Sequence, residues 1–266
     1  MELQSLVSGS SGNSCLVRDA RTAVLVDAGI SCRRLEVMFR DLSVDPCSLQ
    51  AIILTHEHSD HARGMAQLVA RFGLPVYASA GTFRALGSPA NVDWRQLRGG
   101  QITSIGSIDV IPVDVPHDAA EPFVYRFESD HFSAAIATDF GSSTDAIYDA
   151  FRDLDLLVLE ANHDEDWLWR GSYPWSLKKR VASDQGHISN ETCGQILARL
   201  GIRAPRSVWL AHLSAQNNAP GHALQVVGKA LKRAGLGHVQ LTVAERNRPS
   251  ARWHSEGVTR QLALNF

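Results

Sequence analysis

Cysteine is scarce in this chain, and what there is forms no pattern. Cys15, Cys32, Cys47 and Cys193 include no CxxC pair, which excludes a zinc knuckle and a disulfide framework. Each is expected in the interior, because free cysteine packs as a small hydrophobe. No apolar run approaches the roughly 20 residues of a membrane span. The opening Met1-Glu2-Leu3-Gln4 also lacks the basic and then apolar character of a signal peptide. A cytoplasmic location and no membrane partner are therefore expected. Neither charge sign dominates: the net formal charge of −2 argues against holding nucleic acid by bulk electrostatics and leaves only local basic patches for it. Tandem repeats, low-complexity tracts and linker-like stretches are absent as well, so residues 1–266 are read as a single domain. A hydrophobic content of 44% is ordinary for a chain that buries its own core.

What the chain does contain is concentrated at Thr55-His56-Glu57-His58-Ser59-Asp60-His61, directly after the apolar run Ala51-Ile52-Ile53-Leu54. This pattern predicts a strand that delivers metal ligands at its exposed end. His56 and His58 stand two apart, so in extended or turn geometry both imidazoles point to one side. Asp60 and His61 follow as the chain turns into a helix marked by Ala62, Met65, Ala66, Val69 and Phe72, and they face another way. Two diverging ligand pairs from one loop suggest two adjacent cations and a metal-ion hydrolase.

Elsewhere, short strands are expected at Leu3–Val7, Cys15–Arg18 and Ala23–Val26. The turn Ser8-Gly9-Ser10-Ser11-Gly12-Asn13 either presents amides to a phosphate or simply connects a hairpin. Asp27, at the end of its strand, either orients a metal-binding histidine or serves as a turn residue. Ser31 is placed to cap a helix carrying Leu35, Met38, Phe39 and Leu42. Pro75–Ala78 reads as a strand and Thr82–Leu86 as a short helix, while residues 91–100 are turn-rich and carry no assignable chemistry. Further strands at 102–105, 108–113, 123–128, 132–138, 156–159, 208–210 and 239–243 alternate with helices after Ser189 and over 223–234, with a polar tail strand after Trp253. Several of these runs end in a metal-ligating residue: His117, Asp139, His163 and His212. An aspartate at position 139 can bridge two cations. The basic run Lys178-Lys179-Arg180, just before His187, is either a solvated helix face or a hold for substrate phosphate. With β hairpins near both ends, the alternation predicts two packed sheets covered outside by helices.

These motifs resemble the metallo-β-lactamase fold superfamily along nearly the whole chain. Ser8–Ser14, Gly186-His187-Ile188-Ser189-Asn190 and Ala211-His212-Leu213-Ser214 followed by Asn217-Asn218 are similar to the YycJ (WalJ) branch. The resemblance implies a four-layer αββα sandwich of two mixed β-sheets flanked by helices. It also implies an intracellular phosphodiesterase, with a DNA exonuclease role proposed for the branch, and a nucleic-acid substrate, DNA rather than RNA. Residue by residue, it places His56, His58 and His117 on one metal, Asp60, His61 and His212 on the other, and Asp139 between them. A bridging water or hydroxide would attack phosphorus, with Asp60 counted among the catalytic groups. His187 matches a proton donor or phosphate contact, and His163 is a weaker catalytic candidate. No long arm separates His117 from Asp139 and no further nuclease domain follows His212, so a tRNA 3′-end maturase is disfavoured.

Histidine-rich ligation suits zinc, while the carboxylates also suit manganese or iron. A thioesterase or lactonase would use similar ligands, and a non-catalytic metal-binding regulatory protein would be expected to lack some of them.

Overall fold

In the structure, a computed structural model, residues 1–130 and 132–255 are described. Among them two sheets of seven strands lie face to face. The first runs in the order Arg252–His254, Glu2–Val7, Ser14–Arg18, Ala23–Val26, Ala51–Ile53, Val76–Ala78, Trp94–Gln96. The second runs Gln240–Val243, Ser207–Ala211, Leu156–Glu160, Phe132–Ala137, Phe123–Ser129, Ile108–Asp114, Thr103–Ile105. Both sheets are mixed, with antiparallel hairpins on one side and parallel strands on the other.

Strand periodicity explains the layers. Successive side chains of a strand face opposite sides, and here both sides are covered. In Ala23–Val26, Val24 and Val26 enter the layer between the sheets while Leu25 faces outward onto helices Cys32–Asp41 and Met65–Phe72. In Leu156–Glu160, Leu156 and Val158 face the other sheet, and Leu157 and Leu159 meet helices Asp145–Phe151, Asn190–Leu200 and Pro220–Arg233. Strands buried on both faces read as unbroken apolar runs. The result is the expected four-layer αββα sandwich.

Several expectations need correction. The second group of hairpins lies mid-chain, over residues 103–137. The last described strand instead pairs antiparallel with Glu2–Val7, and the tail beyond Ser255 lies outside the described residues. Residues 91–100 supply the edge strand Trp94–Gln96 and the fully buried Leu97. Cys47 is exposed, because it sits on the surface turn Pro46–Ser48; the other cysteines are buried. The helix after the histidine motif is split into Ser59–Ala62 and Met65–Phe72. Gly64 lies at the break because its amide donates to Ala28 O at 2.7 Å, and a Cβ there would come within 2.3 Å of Ile30 O. Among the described residues, no helix is long and apolar enough to cross a membrane.

Candidate metal centre

The histidine motif leaves the parallel edge of the first sheet, and the second sheet brings Asp139, Glu160 and His212 to the same end. Asp27, Asp139 and His212 each follow a strand and each adopt positive φ, at 60°, 64° and 53°. Left-handed backbone is uncommon for residues with a Cβ, and it concentrates where tertiary structure demands a particular side-chain direction. Three strand ends therefore bend sharply at one place. Gly29 allows the closest approach: a Cβ there would lie 1.7 Å from Asp60 O.

The donor atoms fall into groups that could hold cations. His56, His58 and His117 form one; Asp60, His61 and His212 form another; Asp139 joins His56 and His61 in a third. A tetrahedral ion with bonds of about 2.0 to 2.1 Å holds its ligand atoms about 3.3 Å apart. His61 Nε2 lies 3.1 Å from Asp139 Oδ2 and 3.7 Å from Asp60 Oδ2, and His212 Nε2 lies 3.8 Å from Asp60 Oδ2. The nitrogens of His56, His117 and His212 that face inward, all Nε2, are buried without hydrogen-bond partners, as is Asp139 Oδ2. Orphaned buried polar atoms are costly. Such a set converging on one cleft fits divalent cations.

The far side of each ring fixes which nitrogen is free. His61 Nδ1 donates to Asp27 Oδ2 at 2.7 Å, and His212 Nδ1 to Glu160 Oε1 at 2.9 Å. His117 Nδ1 donates to Gly186 O and His58 Nε2 to Asp118 O, both at 3.2 Å. Since these partners only accept, each bond commits one ring nitrogen as N–H and leaves the other as the one that can take a cation once the ring is neutral. His58 is therefore presented through Nδ1 and the other three through Nε2.

Glu160 is the residue that sequence reading passed over. It is fully buried, and its Oε1 accepts from Nδ1 of His187 at 2.8 Å as well as from His212. Its Oε2 accepts the amides of Asp139 at 3.1 Å and Phe140 at 3.3 Å. One carboxylate thus orients two histidines and the turn bearing Asp139. In the sequence it only follows the apolar run 156–159, and its partners lie 20 to 52 positions away.

Charge divides the centre into two halves. Burial holds the imidazoles of His56 and His117 below their ordinary range, and they stay neutral. Burial also opposes charge on His61 and His212, but Asp139 and the neighbouring carboxylates outweigh it. His61 is raised well above 6.5 and His212 to about 10. Asp139 is held well below the carboxylate range despite burial, chiefly by His212 and His61. His187 is raised too, because Glu160 and Asp139 overcome its burial.

The remaining sequence candidates separate clearly. His187 lines the cleft with His58, Asp60, His117, Asp139 and His212. This cleft encloses about 240 Å³; a larger one of about 690 Å³ lies away from these donors, beside Arg126, Arg152 and Arg203. His163 is buried, contacts Asn162 Oδ1 at 3.3 Å and is pushed down by burial to about 4; it does not line the cleft. The Ser8–Asn13 turn buttresses the motif. Its Gly9, Gly12 and Asn13 amides are satisfied by Asn13 Oδ1, Gly9 O and Asp60 O, while Asn13 Nδ2 sits 3.0 Å from His61 Nε2. The basic run splits three ways: Lys178 is buried and donates to Trp169 O, Lys179 is exposed, and Arg180 reaches the cleft and pairs with Asp118. Asn190 and Asn218 bond reciprocally at 3.1 and 2.9 Å, tying the loop of His187 to that of His212.

Comparison with known proteins agrees with this architecture. Residues 22–213 match the family described as beta-lactamase superfamily domain. Exodeoxyribonuclease YycJ of Bacillus anthracis is 36% identical over 236 residues, covering 87% of this chain and 89% of that protein. Exodeoxyribonuclease WalJ of Streptococcus pneumoniae serotype 2 (strain D39) is 36% identical over 238 residues, covering 87% and 88%. The solved metallo-beta-lactamase fold protein YhfI from Bacillus subtilis superposes with a TM-score of 0.72 at 17% identity, over 95% of this chain and 99% of that one, a likeness of fold alone. The chain therefore belongs to the beta-lactamase superfamily, in the branch of the YycJ and WalJ proteins.

Proposed function

We propose that this protein is a metal-dependent phosphodiester hydrolase that acts on DNA as an exonuclease. The observation that supports it most is the pairing of two donor groups through Asp139 with His187 on the same cleft wall. Its kinship with two exodeoxyribonucleases over most of the chain points to the substrate. In this reading His56, His58 and His117 hold one cation and Asp60, His61 and His212 a second, with Asp139 shared. Zinc and manganese both suit these donors, and iron is a third choice. Such cations lower the pKa of water and offset charge on phosphoryl oxygens.

The chain's own groups do the rest. Glu160 accepts a hydrogen bond from Nδ1–H of His187 and so leaves Nε2–H to face the cleft and protonate the departing alkoxide. Phosphodiesters need that proton; a thiolate leaving group needs it far less, which sets this reading against a thioesterase. Arg180 at the rim, balanced by Asp118, offers a contact for a backbone phosphate. His163 is read as packing behind the cleft, supporting the turn that follows His187, since its carbonyl accepts from Asn190 N at 2.8 Å.

The test is an activity screen of zinc- and manganese-loaded protein on single-stranded DNA, duplex DNA, RNA, a small activated phosphodiester and a thioester. His187→Ala should lower phosphodiester turnover by about 10²- to 10⁴-fold with metal content unchanged. Rapid thioester hydrolysis with no cleavage of any phosphodiester would overturn the proposal.

A further inference from the structure

Tryptophan is distributed unevenly over this molecule. Of the six in the chain, three are exposed and lie within one short segment: Trp167 and Trp169 at 41% and Trp175 at 63%. Among the described residues, the other exposed large hydrophobic side chains are Val37 and Ile102. Trp167 lies flat on His222, with ring centroids 4.9 Å apart. Trp169 and Trp175 meet each other at 5.3 Å and 48°, and their outer faces are open.

The segment is ordered from beneath. Asp164 caps helix Glu165–Arg170 by accepting from Trp167 N, and Leu168 anchors it inward. Lys178, on helix Trp175–Val181, donates to Trp169 O at 2.7 Å, fastening one helix to the other. Tyr173, Leu177 and Arg180, from the same stretch, line the cleft of the candidate metal centre. Glu165 and Asp166 open the first of these helices, with Asp166 3.8 Å from Arg170, and from Trp169 to Arg180 the exposed charges are Arg170, Lys179 and Arg180, the last paired with Asp118.

We propose that Trp169 and Trp175, which flank in the chain the Tyr173 of the cleft wall, form a stacking platform for the bases of a single nucleic-acid strand whose end enters the cleft. The proposal rests on the phosphodiesterase reading above and adds the element that grips polymer outside the reacting bond. Indole faces stack on any base, whereas the exposed Arg170, Lys179 and Arg180 supply cations for the phosphates. Duplex DNA keeps its bases stacked on one another, so the platform favours an unpaired strand or a frayed end. A protein partner would also cover tryptophans, but the exposed Arg170, Lys179 and Arg180, and the place of Tyr173 and Arg180 on the cleft wall, favour a polyanion.

The test compares one metal-loaded enzyme on two substrates, oligothymidylate and a small activated phosphodiester that cannot reach the platform. Trp169→Ala/Trp175→Ala should lose about tenfold or more in kcat/KM on oligothymidylate, mostly through KM. It should keep wild-type turnover of the small diester, and Trp169→Phe/Trp175→Phe should recover most of the loss. An unchanged KM for the oligonucleotide, as expected if the patch serves a protein partner, would overturn the platform, and so would an equal fall on both substrates. A wild-type enzyme that cleaves the small diester but no oligonucleotide overturns the platform and the DNA substrate, and leaves the phosphodiesterase chemistry standing. One that cleaves neither overturns the phosphodiesterase reading and the platform with it.

Discussion

Asp27 Oδ2 accepts a hydrogen bond of 2.7 Å from Nδ1 of His61, with both side chains buried. Asp27 also takes the amide and hydroxyl of Thr55, and so fixes both the start of the histidine motif and its last member. Asp27→Asn keeps the shape but removes the charge that holds His61 in the tautomer with Nε2 free. Support of this kind is worth about 10- to 100-fold in metal affinity or activity. The expected outcome, read by competitive chelation, is weakened binding of one cation with the other little changed.

Glu160→Gln tests the link between Glu160 and His187. The Glu160 carboxylate raises the His187 imidazole pKa against the effect of burial. A general acid is active while protonated, so activity falls as pH rises through its pKa. Removing the carboxylate lowers that pKa, and the alkaline limb of kcat should move to lower pH. Because Glu160 also bonds His212, metal content has to be measured beside the profile. A lower kcat with no displacement of the limb would point to a packing role.

Binding of the metal should release protons. Without cations, His61 and His212 are raised above 6.5, His212 to about 10, and both hold a proton at pH 7. Coordination requires the neutral ring. Affinity should therefore rise with pH across the neutral range. Titration calorimetry in buffers of different ionisation enthalpy reads the proton count, and heats independent of buffer would contradict this assignment.

Asp19 clamps the two sheets. From the first sheet's hairpin it accepts hydroxyls of Ser107 and Ser129 in the second, at 2.7 Å each, and the amides of Arg21 and Thr22. Burial would raise its pKa, but these donors, Ser107 foremost, hold it down at about 2. A carboxylate lowered in the folded state stabilises fully above its unfolded value of about 4, and the contribution is lost as pH falls through about 2. Asp19 is half-exposed, so solvent screening reduces the effect to about 1 kcal/mol. Asp19→Asn should lower stability to urea at pH 7 by that amount and make little difference near pH 2.

How much of this was legible beforehand varies with the range of the interaction. The strands at Ala51–Ile53 and Leu156–Glu160 announce themselves, since burial on both faces demands unbroken apolar runs. Helix Glu165–Arg170 is not legible, because only Leu168 turns inward and two exposed tryptophans, Trp167 and Trp169, and a following Gly/Pro stretch mask its period. Asp27 was open between two roles until His61 was found against it. Gly64 broke a helix whose side-chain pattern ran on unbroken, because the constraint is the backbone of Ala28 and Ile30.

The sequence by itself determined the layered architecture and the donor-rich strand ends, because both depend on local pattern: unbroken apolar runs in strands buried on both faces, and three histidines and an aspartate within six positions at 56–61. Only the tertiary structure decided what those donors do to one another. The free nitrogen of His58, His61, His117 and His212 depends on an acceptor brought from a distant strand end or loop, and Glu160 gains its role solely because three loops converge on it. The open faces of Trp169 and Trp175 beside the cleft are likewise a matter of what packs beneath them, which no spacing rule records.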